Sequence, residues 1–330
     1  MTAPPATGAR RPASVWSVSM VRNEADIVEA WVRHNLTFLD GMAIIDHGSI
    51  DATVDVLKRL AAERLPLLLV DGKAPGYLQE QMTTALARQV FARTPADFVL
   101  PLDADEFVKT PSRDSLRRAL AAIPPAMHGL LHWLTYVPDF SAPPAGILAL
   151  LRGAKRLAAE RHPYHKAIVG RHLAADPKAM LANGNHFVAR EHHGRSEDAP
   201  PHARVRPEHA AIAHVPIRGA DQLVAKVATK KLGRIAANFD WKPEAASQAA
   251  YDAVVAGRTL DAATLAYHAV NWSVRTSEWL PASEARLVDD PFLAPVTLRY
   301  TPPAAASPIP LVLGAVERMV ARLAAARRSR

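Results

Sequence analysis

The sequence predicts an α/β fold in which a mostly parallel sheet is flanked by helices, followed by a helical C-terminal region. The first half alternates short apolar runs with helical patterns, which is typical of a parallel sheet covered by helices. A chain of 330 residues is long enough to bury one large core. Hydrophobic residues make up 49% of it and charged residues 22%, which indicates a folded enzyme-like domain and not a disordered chain.

Four strand–helix units come first. The β-rich apolar runs predict strands at 14–21, 42–46, 67–71 and 97–103. The helical patterns between and after them predict helices at 24–38, 51–63, 79–93 and 112–123. Pro66 stands at the entry to the third strand, where a missing amide donor does least harm, and Pro124 and Pro125 end the fourth helix.

The second half is less regular. Residues 129–137 mix polar and apolar side chains, which favours an antiparallel edge strand. Short strands are expected at 165–170, 185–190 and 210–215, and a helix at 220–235. We therefore expect a disordered tail at 1–13, a catalytic domain at 14–235 and a mainly helical region at 236–330.

Composition excludes several kinds of site. The chain has no cysteine, so it forms no disulfides and has no thiolate metal ligands or cysteine nucleophiles. Its net charge of +8 favours a polyanionic partner such as a diphosphate, an anionic membrane or nucleic acid. Because aromatic residues do not interleave with the basic ones, we expect no nucleic-acid partner. With no export signal and only short apolar runs, a cytoplasmic location is expected, peripheral at the inner membrane at most.

Three acidic residues end the fourth predicted strand. Asp103, Asp105 and Glu106 follow the apolar run 97–102, at the end of a parallel strand that faces the ligand crevice in open α/β sheets. Alternation in an extended segment places Asp103 and Asp105 on one side, where they can share a hard cation. Clustered carboxylates repel one another, so a bound Mg²⁺ or Mn²⁺ would stabilise them. The alternative is an ordinary solvated turn, the usual setting of a lone D-x-D motif.

Three ordered motifs carry a family resemblance. They are MVRNEAD at 20–26, IDHGSIDAT at 45–53 and LDADEF at 102–107. Together they resemble the family 2 glycosyltransferases of the GT-A fold, in particular a bacterial branch with VRNE and DxDEF motifs. The resemblance covers residues 15–110 and continues more thinly through 164–166, 185–186 and 214–226.

The resemblance implies a GT-A-like, Rossmann-like domain and a reaction. The protein would move a sugar from a nucleoside-diphosphate sugar to a hydroxyl of a glycan or lipid-linked acceptor, with Mn²⁺ or Mg²⁺ and with inversion. Two alternatives remain: a Mg²⁺-dependent phosphohydrolase or nucleotidyltransferase, and a non-catalytic carbohydrate-binding protein. The first strand is not followed by the glycine-rich phosphate loop usual in nucleotidyltransferases.

The resemblance also implies roles for named residues. Those expected to contact the nucleotide sugar are Val21, Arg22, Asn23, Glu24, Asp46, Asp51, Asp103, Arg218 and Lys226. Those expected to bind the metal are Asp103, Asp105 and His214, with Asp105 as the first direct ligand and His186 as a weaker histidine candidate. Asp139 and Glu191 follow predicted strands and are candidates for the base that deprotonates the acceptor.

Several of these residues have a structural alternative. Asp51 can cap the second helix, and Asn23 can cap the first with Glu24 in its first turn. A single lysine is most often a solvated side chain on a helix face. In the last helix, apolar residues at helical spacing favour packing on the domain, and the basic end also suits an anionic membrane. They are Leu313, Val316, Met319, Val320 and Leu323.

Overall fold

The computed structural model describes residues 11–72, 76–142, 144–192, 194–195, 198–237, 245–303 and 306–328, with side chains of the last helix described to 321. The strands are β1 Val15–Val21, β2 Gly41–Asp46, β3 Leu67–Asp71, β4 Phe98–Pro101, β5 Glu106–Lys109, β6 His128–Val137, β7 Lys155–Leu157, β8 His165–Gly170, β9 Met180–Leu181, β10 Val188–Ala189, β11 His202–Arg204, β12 Ala211–His214 and β13 Leu287–Val288. The helices are α1 Val28–Leu36, α2 Thr53–Ala62, α3 Gln79–Arg93, α4 Arg113–Ala121, α5 Ile147–Gly153, α6 Ala220–Ala236, α7 Ala245–Val255, α8 Ala262–Val270 and α9 Pro308–Arg328.

The predicted α/β class is confirmed. The main sheet has the order β13-β7-β6-β8-β4-β1-β2-β3. Strands β1 to β4 are parallel, which brings the carboxyl ends of β1, β2 and β4 to one edge. Beyond β4 the sheet becomes mixed, because β8 runs antiparallel to both β4 and β6. All four predicted strand–helix units are present with boundaries shifted by a few residues.

The prediction of an edge strand at 129–137 is wrong. This segment is β6, an internal strand that pairs with β7, β8, β11 and β12. Its polar residues are accommodated by other parts of the chain, as at Thr135, whose amide and hydroxyl donate to the Glu160 carboxylate. Mixed polarity therefore reflected satisfied polar contacts and not an exposed face.

A strand that periodicity did not reveal follows the acid cluster directly. β5 pairs antiparallel with β12, and this register places His214 opposite Glu106. Helix α1 packs against β5 through the fully buried Trp31, whose indole nitrogen donates to the Glu106 carbonyl at 2.8 Å. The Asn35 carboxamide accepts from Val108 N at 2.8 Å. The first helix thus fixes the strand that carries one of the acids.

Residues 236–330 extend the fold with helices and a long irregular stretch. α7, α8 and α9 are helical, whereas the described residues between α8 and α9 (271–303 and 306–307) contain only short 3₁₀ turns and β13. β13 joins the main sheet through β7, and α9 packs on α6. The boundary at 235 stays a prediction. The predicted tail at 1–13 falls largely on residues outside the described ranges, and Arg11 contacts Asp97 at 2.8 Å.

The prediction that the apolar stripe of the last helix packs on the domain is wrong for Leu313, Val316 and Val320, whereas Met319 is half-buried. Leu313 is 56% exposed, and Val316 and Val320 are exposed as well. Leu311 and Ala315 form the buried face instead. The side chain of Leu323 lies outside the described residues. Among the described residues, no helix combines the length and apolarity needed to span a bilayer.

Candidate active site

A cavity of about 320 Å³ opens at the carboxyl edge of β1 and β4. Most residues that the sequence predicted for donor and metal binding line it: Val21, Arg22, Asn23, Glu24, Asp51, Asp103, Asp105, His214, Arg218 and Lys226. Asp46, Asp139 and Glu191 are not among the lining residues. The structure thus gathers most of the predicted site in one place.

The turns after β1 and β2 are joined by hydrogen bonds and form one side of the cavity, which we call the turn wall (residues 21–26 and 46–53). Asn23 has a positive φ of 57°, and its side-chain oxygen accepts from Ile50 N at 2.9 Å. The amide of Glu24 donates to Thr53 Oγ1 at 2.8 Å, and that of Ala25 to Asp51 at 3.1 Å. These contacts hold the β1 turn open toward the cavity.

The capping alternatives can now be compared with the structure. Asn23 does not cap α1, which begins at Val28 and has no side-chain cap, and Glu24 lies before the first turn of that helix. Asp51 does act at the start of α2, because its carboxylate accepts from Thr53 N at 2.9 Å. Asp46 accepts from the amides of Gly48 and Ser49, so it shapes the turn after β2.

The acid cluster (Asp103, Asp105 and Glu106) is paired with lysines; Asp105 and Glu106 are buried, and Asp103 is half-buried. Lys166 at the start of β8 contacts Asp103 at 2.8 Å and Glu106 at 2.9 Å, and it also donates to the Gly184 carbonyl at 2.7 Å. Lys226 on α6 contacts the Asp105 carboxylate. Gln79 donates to the second oxygen of Asp103 at 3.1 Å. The cluster is therefore an ion-pair network and not a solvated turn.

Asp105, Glu106 and His214 are the group that fits a metal ion within the described residues. Each offers one ligand atom, and these atoms lie within 4.8 Å of one another. His214 Nδ1 is buried and has no hydrogen-bond partner in the described part of the chain, and His214 Nε2 lies 3.6 Å from Asp105. A carboxylate pair with a neutral imidazole is a competent donor set for a divalent cation. Asp103, which the sequence also placed on the metal, contacts Lys166 and Gln79, and its role as a ligand stays a prediction.

Charge states in the site follow from burial and pairing. Burial raises the pKa of Glu106 to about 8 and that of Glu24 to about 7. Burial opposes ionisation of Asp105 too, but Lys226 and His214 hold the pKa of this carboxyl well below its usual range. Burial lowers the pKa of His214, which keeps the imidazole neutral and able to act as a ligand.

Arg218 shapes the turn wall from the side of β12. Its guanidinium contacts Asp26 at 2.6 and 2.9 Å and Glu24 at 2.6 Å. The remaining nitrogen, NH1, is buried, and no described residue offers it a hydrogen bond. Arg218 thus orients two acids of the β1 turn, a role that the sequence did not indicate.

Sequence reasoning named His186 only as a weaker metal candidate and did not indicate the aromatic side of the cavity. Trp133, Tyr164 and His186 form an aromatic wall there, with ring centroids 5.1 to 5.6 Å apart. The ring centroids of Trp133 and His214 are also 4.0 Å apart, which places this wall beside the candidate metal ligands. Lys166 was missed as well. Its signal was a lone lysine in the apolar strand HKAIVG, because a buried lysine requires acidic partners.

The base candidates lie elsewhere. Asp139 is exposed and accepts from Ser141 N at 2.9 Å, and Glu191 is exposed in a loop. The structure therefore does not bring either residue to the acid cluster. Their assignment as base stays a prediction, and the cavity geometry offers it no support.

Comparison with known proteins gives structural likeness only. No family profile matches the chain, and no curated protein matches it in sequence. Among solved structures, mannosyltransferase PcManGT from Pyrobaculum calidifontis, in complex with GDP-Man and Mn²⁺, is 17% identical over 82% of each chain, with a TM-score of 0.37. Glucosyl-3-phosphoglycerate synthase from Mycobacterium tuberculosis, in complex with Mn²⁺, UDP and glucosyl-3-phosphoglycerate, is 16% identical over 68% of this chain and 78% of that one, with a TM-score of 0.33.

S. aureus TarS is 13% identical over 80% of this chain, with a TM-score of 0.34. The present chain spans 44% of that longer protein. At such identities and TM-scores, no residue role passes from these proteins to this one. The functional argument below depends on the geometry of the site itself.

Proposed function

We propose that this protein is a divalent-metal-dependent glycosyltransferase of the GT-A fold and of family 2 that uses a nucleoside-diphosphate sugar. The observation that carries the proposal is the buried Asp105–Glu106–His214 group, placed in a cavity whose other side is the turn wall. Mn²⁺ or Mg²⁺ held there would act as a Lewis acid on the leaving diphosphate.

The protein's own residues supply an anion site next to this group. Arg22 lines the cavity, and its Nε is buried without a hydrogen-bond partner among the described residues. Burial and the neighbouring Arg318 lower the pKa of Arg22 to about 10, so the guanidinium remains charged at neutral pH. Arg22 in the cavity lining and the neighbouring Arg318 on α9 place two guanidinium charges near each other, which favours a phosphate-bearing ligand. Together with Lys226 they support the binding of a nucleoside diphosphate.

The remaining polar residues orient the donor. Val21, Asn23, Glu24 and Asp51 lie in the turn wall, where backbone and side-chain polar groups can contact base and ribose. Asp46 supports this wall through the turn after β2. Arg218 holds Glu24 in place, and Gln79 and Lys166 fix Asp103. Such fixed polar groups lower the cost of orienting the substrate.

The acceptor side is the aromatic wall. Indole and phenol rings offer apolar faces with polar edges, which suit the mixed surface of a sugar. A glycan or lipid-linked hydroxyl is therefore the proposed acceptor, with inverting transfer. Contact with an anionic membrane through α9 is proposed from its exposed face, where Ile309, Leu313, Val316 and Val320 recur at helical spacing.

Nucleotide binding tests the proposal. Calorimetric titration of UDP and GDP, each with and without Mn²⁺, is expected to show binding of one nucleoside diphosphate that weakens at least about tenfold without the metal. Asp105→Asn should reduce affinity to the metal-free level, whereas Asp114→Asn, at an exposed acid on α4, should leave it unchanged. Metal-dependent binding of inorganic phosphate with no nucleotide preference would instead favour the phosphohydrolase alternative.

A further inference from the structure

Two lysines neutralise the acid cluster, and their environments differ. The Lys166 side chain is 1% exposed and contacts three acceptors, Asp103, Glu106 and the Gly184 carbonyl. Two of its three N–H donors bond to Asp103 and Gly184, and the Glu106 carboxylate lies 2.9 Å from the same ammonium. Lys166 is therefore a fixed part of the structure.

Lys226 is held less completely. Its side chain is 22% exposed and lines the cavity. It contacts the Asp105 carboxylate and the Pro216 carbonyl, the latter at 3.2 Å, and its ammonium lies 5.1 Å from the centre of the Trp272 ring. A lysine stem of four carbons on a helix can move this group within the cavity without movement of the backbone.

The Lys226 ammonium contacts the Asp105 oxygen that faces His214, another side chain of the candidate metal group. Oδ2 of Asp105 is the atom that pairs with Lys226, and it is also the atom that lies 3.6 Å from His214 Nε2. A divalent cation bound by Asp105 and His214 would stand next to the ammonium, and two cations at such a distance repel strongly in a buried site. The ammonium and the metal ion therefore cannot both bind this oxygen closely.

We propose that Lys226 and the divalent cation occupy the Asp105 carboxylate in turn. The ammonium neutralises the buried carboxylate before the metal arrives, which avoids the cost of an unpaired buried charge. When the metal binds, Lys226 moves into the cavity. There it meets the anionic donor, a step that rests on the proposed function.

This exchange makes metal binding and donor binding dependent on each other. The metal must displace a cation to enter, so its affinity for the free protein is reduced. The displaced ammonium gains a new partner only when a diphosphate is present. Donor binding therefore restores part of the metal affinity that the displacement costs. Lys226 is thus a positioning residue that couples the two ligands.

Titration of MnCl₂ into the free protein tests the exchange without any turnover. The variants are Lys226→Met, which keeps the apolar stem, and Lys58→Met as a matched control at an exposed lysine on α2. We expect Lys226→Met to bind Mn²⁺ at least about tenfold more tightly than wild type, because no ammonium has to be displaced. With Mn²⁺ saturating, we expect the same variant to bind the nucleoside diphosphate several-fold more weakly.

A second measurement applies if Lys226→Met folds poorly because Asp105 has lost its cationic partner. Mn²⁺ should then raise the melting temperature of Lys226→Met more than that of wild type, since the metal replaces the missing cation. Lys226→Arg, which keeps the charge, should show the wild-type Mn²⁺ affinity within a few-fold.

Each outcome separates the two claims. Equal or weaker Mn²⁺ binding in Lys226→Met overturns the exchange and leaves the proposed function standing if wild type binds a nucleoside diphosphate with Mn²⁺. Tighter Mn²⁺ binding in Lys226→Met with no nucleotide bound by any variant supports the exchange and overturns the proposed function. Nucleotide binding by wild type without any Mn²⁺ binding overturns the exchange and the metal dependence together.

Discussion

The two sides of the cavity are built in different ways. The turn wall consists of consecutive residues after β1 and β2, joined by short local hydrogen bonds such as Asn23 to Ile50. The aromatic wall and Lys166 come from β6, β8 and a 3₁₀ turn, which are separate along the chain and meet only through the mixed part of the sheet. The first side depends on turn chemistry, whereas the second depends on the tertiary fold.

This difference has an energetic consequence. A change in the loop-to-loop contacts of the turn wall, such as those of Asn23 and Asp51, should alter ligand binding more than folding, because these contacts join two adjacent loops. A change at the junction of β5, β8 and β12 should alter folding as well, because buried charges there depend on partners from distant strands. The following substitutions test that contrast from the largest expected effect to the smallest.

Lys166→Met should be the most destabilising change. It leaves the fully buried Glu106 and the half-buried Asp103 without their shared cation, so the free energy of unfolding should fall by about 3–5 kcal/mol. Urea unfolding measures the loss, with Lys178→Met at an exposed position as the control. A loss of less than about 1 kcal/mol would show that the acids do not depend on this lysine.

His34 should make stability depend on pH. Its Nε2–H donates to the Val108 carbonyl at 2.9 Å and its Nδ1 accepts from Ala294 N at 3.0 Å, so the folded protein requires the neutral ring. Burial lowers the pKa of His34 from 6.5 to about 4. The unfolded state therefore binds more protons between these values. Stabilisation is complete above pH 6.5 and is lost as the pH falls toward 4.

Unfolding of wild type and His34→Gln between pH 7 and 4.5 measures this effect. Wild type should lose about 2 kcal/mol more than the variant, which has no titrating group at this position. Parallel pH profiles would show that another group accounts for the acid sensitivity.

Tyr164→Leu should separate transfer from nucleotide binding. The ring belongs to the aromatic wall and lies 5.1 Å from His186 and 5.6 Å from Trp133. We expect the rate of sugar transfer to fall about tenfold while the nucleoside-diphosphate Kd changes less than about twofold. An equal loss in both quantities would place the aromatic wall at the nucleotide and not at the acceptor.

Leu313→Glu with Val316→Glu should have the smallest effect on folding. Both side chains are exposed, so the free energy of unfolding should change by less than about 0.5 kcal/mol. Sedimentation with phosphatidylglycerol vesicles should fall in this variant and stay unchanged in Val255→Glu, an exposed apolar position on α7. A large loss of stability would mean that this face is covered within the protein.

The acid cluster could be predicted from position, because it follows a regular parallel strand whose carboxyl end faces the ligand crevice. The roles of Asn23 and Glu24 were implied by the family resemblance, and these residues lie after the neighbouring parallel strand and line the cavity. His214 could be predicted because it ends an apolar strand, but its position opposite Glu106 depends on the β5–β12 register. Periodicity gave no sign of β5, a strand of four residues.

The rest of the site depends on contacts between distant segments. Nothing near Lys166 in the sequence indicates that it will meet Asp103, 63 residues away. The exposed apolar face of α9 was mispredicted for a similar reason. A helical stripe shows that one face is apolar, and it does not show what the face contacts.

The central claim is that Asp105, Glu106 and His214 hold a divalent cation beside the donor. Crystals grown with MnCl₂ and the nucleoside diphosphate that binds in titration test it through anomalous scattering from manganese. The account predicts one anomalous peak in contact with the Asp105 carboxylate and the His214 ring, with diphosphate oxygens on the open side. A diphosphate bound with Lys226 still on Asp105 and no manganese peak would contradict it.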